Sequence, residues 1–263
     1  MPKSDYVHQH LSDSEEYGRL RKIEELLDPR TRGFLQKLGL GEGMSFLEAG
    51  AGGGGLLPWL LKAVGPGGNV LAVDLDTRFV RDIRHPNLQV LEDDLTRMDL
   101  GSDRFDFIHE RYVLSHIPSY QDVLNKMKAA LKPGGWILLE DVVSEGWIES
   151  PDPARVRALH AMHQARKIVF AKKGMDSCFG RQLPGLLRQG GFARVGEENF
   201  APMDRGGQGK AEIMRLSVLG LWDQYLSTGA VTEADLRVFV EMAADPNQSA
   251  VYFSTVSAWG QKP

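Results

Sequence analysis

A chain of 263 residues with 42% hydrophobic side chains has material for one α/β core with helical additions. Lys and Arg number 31 against 35 Asp and Glu, a formal charge of -4, which argues against nucleic acid as the main partner. The single Cys178 excludes an internal disulfide and a cysteine-rich metal site. The start Met1 to His10 is polar and no apolar run nears the ~20 residues of a membrane span, so a soluble, unexported, cytoplasmic protein is expected.

Leu20, Ile23, Leu26 and Leu27 recur at helical spacing and predict a helix over Glu15 to Leu27 that Pro29 closes, with a second helix over Arg30 to Leu38 stopped by Gly39. Met44 to Ala49 reads as an apolar strand carrying Glu48 near its end. The glycine loop Gly50 to Gly55 follows, then a helix over Leu56 to Val64, in whose first turn Pro58 meets no preceding carbonyl. Gly65 to Asn69 is a turn and Val70 to Asp74 a buried second strand. Leu88 to Leu91, Phe105 to His109 and Trp136 to Glu140 supply the third, fourth and fifth strands, and Lys132-Pro133-Gly134-Gly135 reads as a type II turn. Strands alternating with helices predict a parallel sheet covered on both faces.

From about Ser150 the rhythm changes. Pro153 to Lys173 is a long helical stretch, Leu183 to Gln189 resumes the α/β pattern, and Phe192 to Asn199 is a sixth strand. Ala211 to Leu226 and Thr232 to Ala243 follow as helices, and Val251 to Trp259 closes as a strand. These interruptions are expected to form a lid over the carboxyl ends of the strands, where open α/β sheets bind ligands. The organisation expected is a helical cap over 1–40 and a main domain over 41–263, with lid insertions at about 150–178 and 203–248.

A loop as poor in side chains as Gly50 to Gly55 lets backbone N–H groups and a helix N-terminus come against a small nucleotide-like ligand. Gly50-x-Gly52-x-x-Gly55 satisfies the dinucleotide pattern, and Asp74 lies near the ~20-residue distance at which an acid takes the ribose hydroxyls. On these residues alone an NAD-dependent oxidoreductase stays open. Four features join them: Glu48 before the first glycine, the pair Asp93-Asp94 after the third strand, the Lys132 to Gly135 turn, and the closing strand. Together they resemble the class I S-adenosylmethionine-dependent methyltransferases from about Gly33 to the C-terminus. More loosely, Tyr6 to Arg21 and Ser257-Ala258-Trp259-Gly260 look like bacterial small-molecule methyltransferases of actinomycete type.

The resemblance implies a doubly wound, Rossmann-like α/β fold with seven strands, the last antiparallel, and S-adenosyl-L-methionine as cofactor. It implies methyl transfer to a small, apolar or aromatic specialised metabolite. Glu48 would order the loop and meet the methionine ammonium, with Ala49, Gly50 and Gly52 laying bare backbone along the homocysteine portion. Asp74 would accept both ribose hydroxyls, with Asp76 as the competing acid, and Leu75 would pack on the adenine face. Asp94 would accept from the adenine amino group while the Leu95 N–H serves the ring, Asp93 being the alternative. Glu110 and Arg111 fall in the stretch that faces the methionine end, and Tyr6, Tyr17 and Arg19 lie on a segment that folds over the cofactor in similar enzymes.

Methyl transfer asks the protein to align nucleophile, carbon and sulfur, exclude water and remove a proton where needed, so catalytic residues are weakly signalled. His116 is the first candidate base and Tyr17 the second. His160 and His163, three apart on one helix face, would suit a metal, but no third ligand accompanies them and no metal is expected. Met162, Met214 and Trp222 read as core or as lining for an apolar substrate. A sulfonium-assisted cyclase or isomerase would share all these residues. An RNA or protein methyltransferase would share the core, against the acidic balance. The partner expected is a small-molecule substrate, without nucleic acid or membrane, in a monomer or homodimer.

Overall fold

The computed structural model describes residues 11–263. Tyr6 lies outside the described residues. The strands are β1 (Ser45–Ala49), β2 (Asn69–Asp74), β3 (Leu88–Glu92), β4 (Phe105–Arg111), β5 (Leu131–Val143), β6 (Ala193–Phe200), β7 (Asp204–Arg205), β8 (Ser249–Ala250) and β9 (Ser254–Gln261). The helices are α1 (Asp13–Lys37), α2 (Leu57–Val64), α3 (Tyr120–Ala130), α4 (Pro153–Ala171), α5 (Leu183–Gln189), α6 (Gly209–Gly220), α7 (Trp222–Leu226) and α8 (Glu233–Ala244), with a single turn at Leu114–His116. The chain forms two units. One joins Leu27–Asp141, Gly180–Glu198 and Val256–Pro263; the other joins the chain up to Leu26 with Val142–Phe179 and Asn199–Thr255.

The first unit is built on a seven-stranded sheet in the order β3-β2-β1-β4-β5-β9-β6, with the last strand antiparallel as expected. β1 pairs in parallel with β2 and β4, β2 with β3, and β4 with β5. The central strands are short, nearly unbroken apolar runs because both faces are covered: Phe46, Leu47 and Ala49 of β1 and Val70 to Val73 of β2 are all buried. Leu57, Leu60, Leu61 and Val64 of α2 form one stripe that packs with Phe46, Phe107 and Leu138. From β1 the sheet grows one way through β2 and β3 and the other way through β4, so the direction of winding reverses at β1. Ligand crevices open at such a point, outside the carboxyl ends of the strands.

The expected type II turn at Lys132 to Gly135 is absorbed into β5. Phe105 pairs with Leu131 and Phe107 with Trp136, so the intervening residues loop out of the ladder as a bulge. The closing strand begins later than its apolar run suggests, because Ala250 pairs with Asp204 and Val251 bridges to Trp147 before the chain enters the sheet at β9.

The second unit is mainly helical. Asp152 caps α4 by accepting from the Ala154 N–H, with Pro153 in the first turn, and Thr232 and Asp235 cap α8 reciprocally. Leu159, Met162, Phe170, Met214, Tyr225, Phe239 and Tyr252 are buried in it. The single helix expected over Ala211 to Leu226 is broken into α6 and α7 at Leu221.

The two helices expected around Pro29 are one. Leu27, Thr31, Phe34 and Leu35 are buried at i, i+4, i+7 and i+8, so a single face runs across the proline. Pro29 leaves the Glu25 carbonyl without its helical donor, a cost of about 3 kcal/mol. Burying Phe34 and Leu35 returns roughly 1.5–3 kcal/mol each, which decides the balance for a continuous helix. Because Pro29 is exposed, Pro29→Ala is expected to restore the bond without disturbing the core and to raise the melting temperature by roughly 4–8 °C in scanning calorimetry. An unchanged or lower value would show that the helix is already relaxed around the ring.

Candidate functional site

Everything in the sequence that pointed to a ligand in the sheet unit falls at the carboxyl ends of β1, β2, β3 and β4. The chain leaves β1 through the glycine loop, which is fastened to the end of the neighbouring strand: Gly50 N–H donates to the Val73 carbonyl at 2.7 Å and Gly52 N–H to Asp74 Oδ2 at 2.9 Å. Gly50 has φ +83° and Gly54 φ +80°, where a side chain is strained. A Cβ at Gly50 would stand 2.2 Å from Val113 Cγ2, and one at Gly54 2.7 Å from Val80 Cγ1. The loop is bare because its neighbours leave no room.

Asp74 ends β2. Its Oδ2 holds Gly52 and its Oδ1 accepts from the Asp76 N–H at 3.1 Å, so the carboxylate shapes the loop. Burial pushes its carboxyl up, against those N–H donors. Leu75, next along, is 54% exposed, an uncovered leucine beside a half-buried acid. Asp76 turns outward to pair with Arg78 at 2.8 Å.

After β3, Asp94 Oδ1 accepts from the Thr96 N–H at 2.9 Å and the Thr96 hydroxyl at 2.7 Å, while Leu95 is buried. Burial opposes the Asp94 charge, but the two Thr96 donors with Arg97 and Lys126 outweigh it and hold the carboxyl below its usual range. Asp93 is exposed and accepts from the Asp94 N–H.

Glu110 and Arg111, expected to face a ligand, turn inward. Glu110 is fully buried; Oε2 accepts from the N–H groups of Val113 and Leu114 at 3.1 and 3.3 Å, capping the turn that carries His116. Burial and the nearby Asp141 push its carboxyl well above the usual range. Tyr112, between strand and turn, has φ +59°, a conformation costly for a residue other than glycine, and its N–H donates to the Glu140 carbonyl at 2.8 Å. Arg111 donates to Asp28 Oδ1 at 2.7 Å and to the Thr31 hydroxyl at 3.0 Å. The strand that delivers both residues runs between two others, so side chains at its end find protein partners first.

Beneath the loop lies a network that sequence reasoning missed. His109, fully buried on β4, sits between two carboxylates: Nδ1 is 2.8 Å from Glu48 Oε2 and Nε2 is 3.1 Å from Glu140 Oε2. Glu140 on β5 also accepts from Thr31 of α1 and, at 2.6 Å, from the Ser257 hydroxyl of β9, with Arg111 Nη1 3.9 Å away. Burial alone would lower the His109 pKa, but the two carboxylates overcome it and raise the value from 6.5 to about 10. Burial would likewise raise Glu140, yet His109, Arg111 and Ser257 bring it down from 4.5 to about 2. The available signal was polar residues in otherwise apolar runs, His109 after Phe107-Ile108 and Glu140 after Leu138-Leu139.

His116 ends the turn after β4 and is half-buried; Tyr17, in the helical unit on α1, is 42% exposed. In that unit Arg19 makes a buried pair with Glu16 at 2.7 Å. His163 serves the helical core: Nε2 donates to the Tyr252 carbonyl at 3.0 Å and burial lowers its pKa to about 4, while His160 is exposed. Met162 and Met214 are core residues, and Trp222 is half-buried. Among the described residues no helix is long and apolar enough to cross a membrane.

Residues 19–195 match the model of a family described as a methyltransferase domain. Methyltransferase str2 of Strobilurus tenacellus is 31% identical over 146 residues, 53% of this chain and 50% of that protein. The chain thus spans about half the length of the curated relatives it matches. A phosphoethanolamine N-methyltransferase 2 of Haemonchus contortus, solved with phosphomonomethylethanolamine and S-adenosylhomocysteine, has a TM-score of 0.62 at 16% identity, over 100% of this chain and 61% of that one. A SAM-dependent methyltransferase from Aquifex aeolicus has a TM-score of 0.53 at 19% identity, over 94% of this chain and 98% of that one. Likeness at these identities is likeness of fold.

The network sets a pH dependence of stability. The folded chain holds the His109 proton more tightly than the unfolded one, so that stabilisation is complete below pH 6.5 and is lost as pH rises through about 10. The Glu140 share runs the other way, present above pH 4.5 and lost as pH falls through about 2. In urea titrations the unfolding free energy is expected to drop between pH 6.5 and 10 by on the order of 2–4 kcal/mol more in the native chain than in His109→Gln. Parallel curves for the two would remove the charged imidazole from the account.

Proposed function

The chain belongs to the family of methyltransferase domains, and from that premise we propose that its sheet unit binds S-adenosyl-L-methionine and transfers the methyl group to a small, apolar or aromatic metabolite. The observation that carries the reading is a row of three strand ends on neighbouring parallel strands. It comprises Glu48 with the pinned glycine loop, Asp74 with exposed Leu75, and Asp94 with buried Leu95. These groups fit an adenosyl amino acid: a carboxylate for an ammonium, a carboxylate for a diol, an apolar surface for a base and an acid at its far edge.

In this reading Glu48, Ala49, Gly50 and Gly52 hold the amino-acid end, Asp74 the ribose, Leu75 one adenine face, and Asp94 with the Leu95 N–H the adenine edge. Tyr6 belongs to the same set from the N-terminal segment. Glu110 and Arg111 act from behind, by fixing the turn after β4 and the support beneath Glu48. The bound cofactor supplies a methyl group on a sulfonium, already a strong electrophile. The protein's task is then alignment, exclusion of water and acceptance of a proton, for which His116 and Tyr17 are the candidate groups.

Calorimetric titration with S-adenosylhomocysteine tests the reading: saturable binding to the intact protein is expected, and none at millimolar concentration would end it. Asp74→Ala is expected to weaken that binding by one to two powers of ten, the ~1.5–3 kcal/mol of a charge-assisted hydrogen bond. Unchanged affinity would remove the ribose assignment. Product mass separates methyl transfer, which adds one CH₂, from cyclisation or isomerisation on the same fold, which adds nothing.

A further inference from the structure

Five ionisable side chains of the sheet unit form one chain of contacts: Asp28 to Arg111, Arg111 beside Glu140, Glu140 to His109 and His109 to Glu48. The two ends are held unequally. Glu140 is fixed by the hydroxyls of Thr31 and Ser257 as well as by the imidazole, and so is tied to α1 and β9 at once. Glu48 is reached in this chain through Oε2 by His109 Nδ1 alone. The anchored carboxylate belongs to the interior strand β5, and the lightly held one immediately precedes Ala49 and Gly50.

An imidazole between two carboxylates must donate from both ring nitrogens. A neutral ring carries one proton, so one of its nitrogens would turn a lone pair toward a carboxylate oxygen about 3 Å away, in a place without water to relieve the repulsion. The other ionisable groups near the ring are Glu110, whose burial and neighbouring Asp141 oppose its charge, and Arg111, its neighbours on β4. With His109 and Arg111 cationic and Glu48, Glu140 and Asp28 anionic, the chain of contacts carries one excess negative charge, placed to favour a cationic ligand group.

We infer that His109 is a positioning residue for ligand binding: a doubly protonated ring that transmits the rigid anchorage of Glu140 to the Glu48 carboxylate and orients it toward the ammonium of the cofactor's amino-acid end. This rests on the proposed cofactor reading. His109 touches no ligand itself; it fixes the direction and the charge of the group that does. Its role is that of a bridge, and the two halves of a bridge can be cut separately.

Asparagine places its amide nitrogen near the position of Nδ1 and can still donate to Glu48; glutamine reaches the position of Nε2 and donates to Glu140 instead. His109→Asn and His109→Gln are expected to lose similar amounts of thermal stability. S-adenosylhomocysteine should bind His109→Asn within about threefold of the native protein and His109→Gln at least about tenfold more weakly. Equal losses of affinity in both, or a greater loss in His109→Asn, would overturn the role while leaving the cofactor reading standing. Absence of binding to the native protein would overturn the cofactor reading and this inference together. Should either variant fail to fold, nitrogen NMR of histidine-labelled native protein decides: one imidazole keeping both ring protons at pH 9 supports the bridge, and a full set of histidines neutral by pH 8 refutes it.

Discussion

A cation locked between two carboxylates inside a parallel sheet is a demanding arrangement, because each charge taken from water costs several kcal/mol before any partner is met. The sheet unit meets that demand by geometry: His109 reaches Glu48 and Glu140 from opposite edges of one ring, and Glu140 is further satisfied by Thr31 and Ser257. These partners come from β1, β5, α1 and β9, elements far apart in sequence. A network of this kind is cheap only when every member is present, so it ties those elements to one relative placement.

The rest of the site follows from that placement. With β1 fixed against β4, the chain must leave Ala49 through a bend that clears Val113, and only glycine fits there. Asp74 then catches the bend from the adjacent strand, and the N-terminus of α2 follows at once. Acids and bare backbone at three successive strand ends are thus products of one packing problem solved around β1. Under these strand ends the chain carries a polar core that the motif residues alone do not reveal.

Much of this was legible in the sequence. The strands were readable because a two-faced parallel sheet demands short apolar runs, and the loop because consecutive glycines have few other uses. What local signals do not give is set by the reach of tertiary packing over them. Pro29 predicts a helix end, yet the face formed by Leu27, Thr31, Phe34 and Leu35 carries the helix through it. Lys132 to Gly135 does turn, with Gly134 at φ +79°, but the turn is carried as an excursion inside β5 instead of separating two elements. Glu110 and Arg111 fall by resemblance in the stretch that faces the methionine end, and the structure gives both internal partners that no local signal announces. His109 was invisible for the opposite reason. A single polar residue in an apolar run has no periodicity, and its meaning depends on acids 61 and 31 positions away.

The left-handed backbone at Tyr112 gives the turn after β4 a particular mechanical character. A tyrosine held there stores on the order of 1–3 kcal/mol that a glycine would release. The stored energy is retained by two latches, the Glu140 carbonyl on the Tyr112 amide and the Glu110 carboxyl on the two amides that follow. The turn that carries His116 is therefore set by the protein's own bonds at three successive amides, from Tyr112 to Leu114.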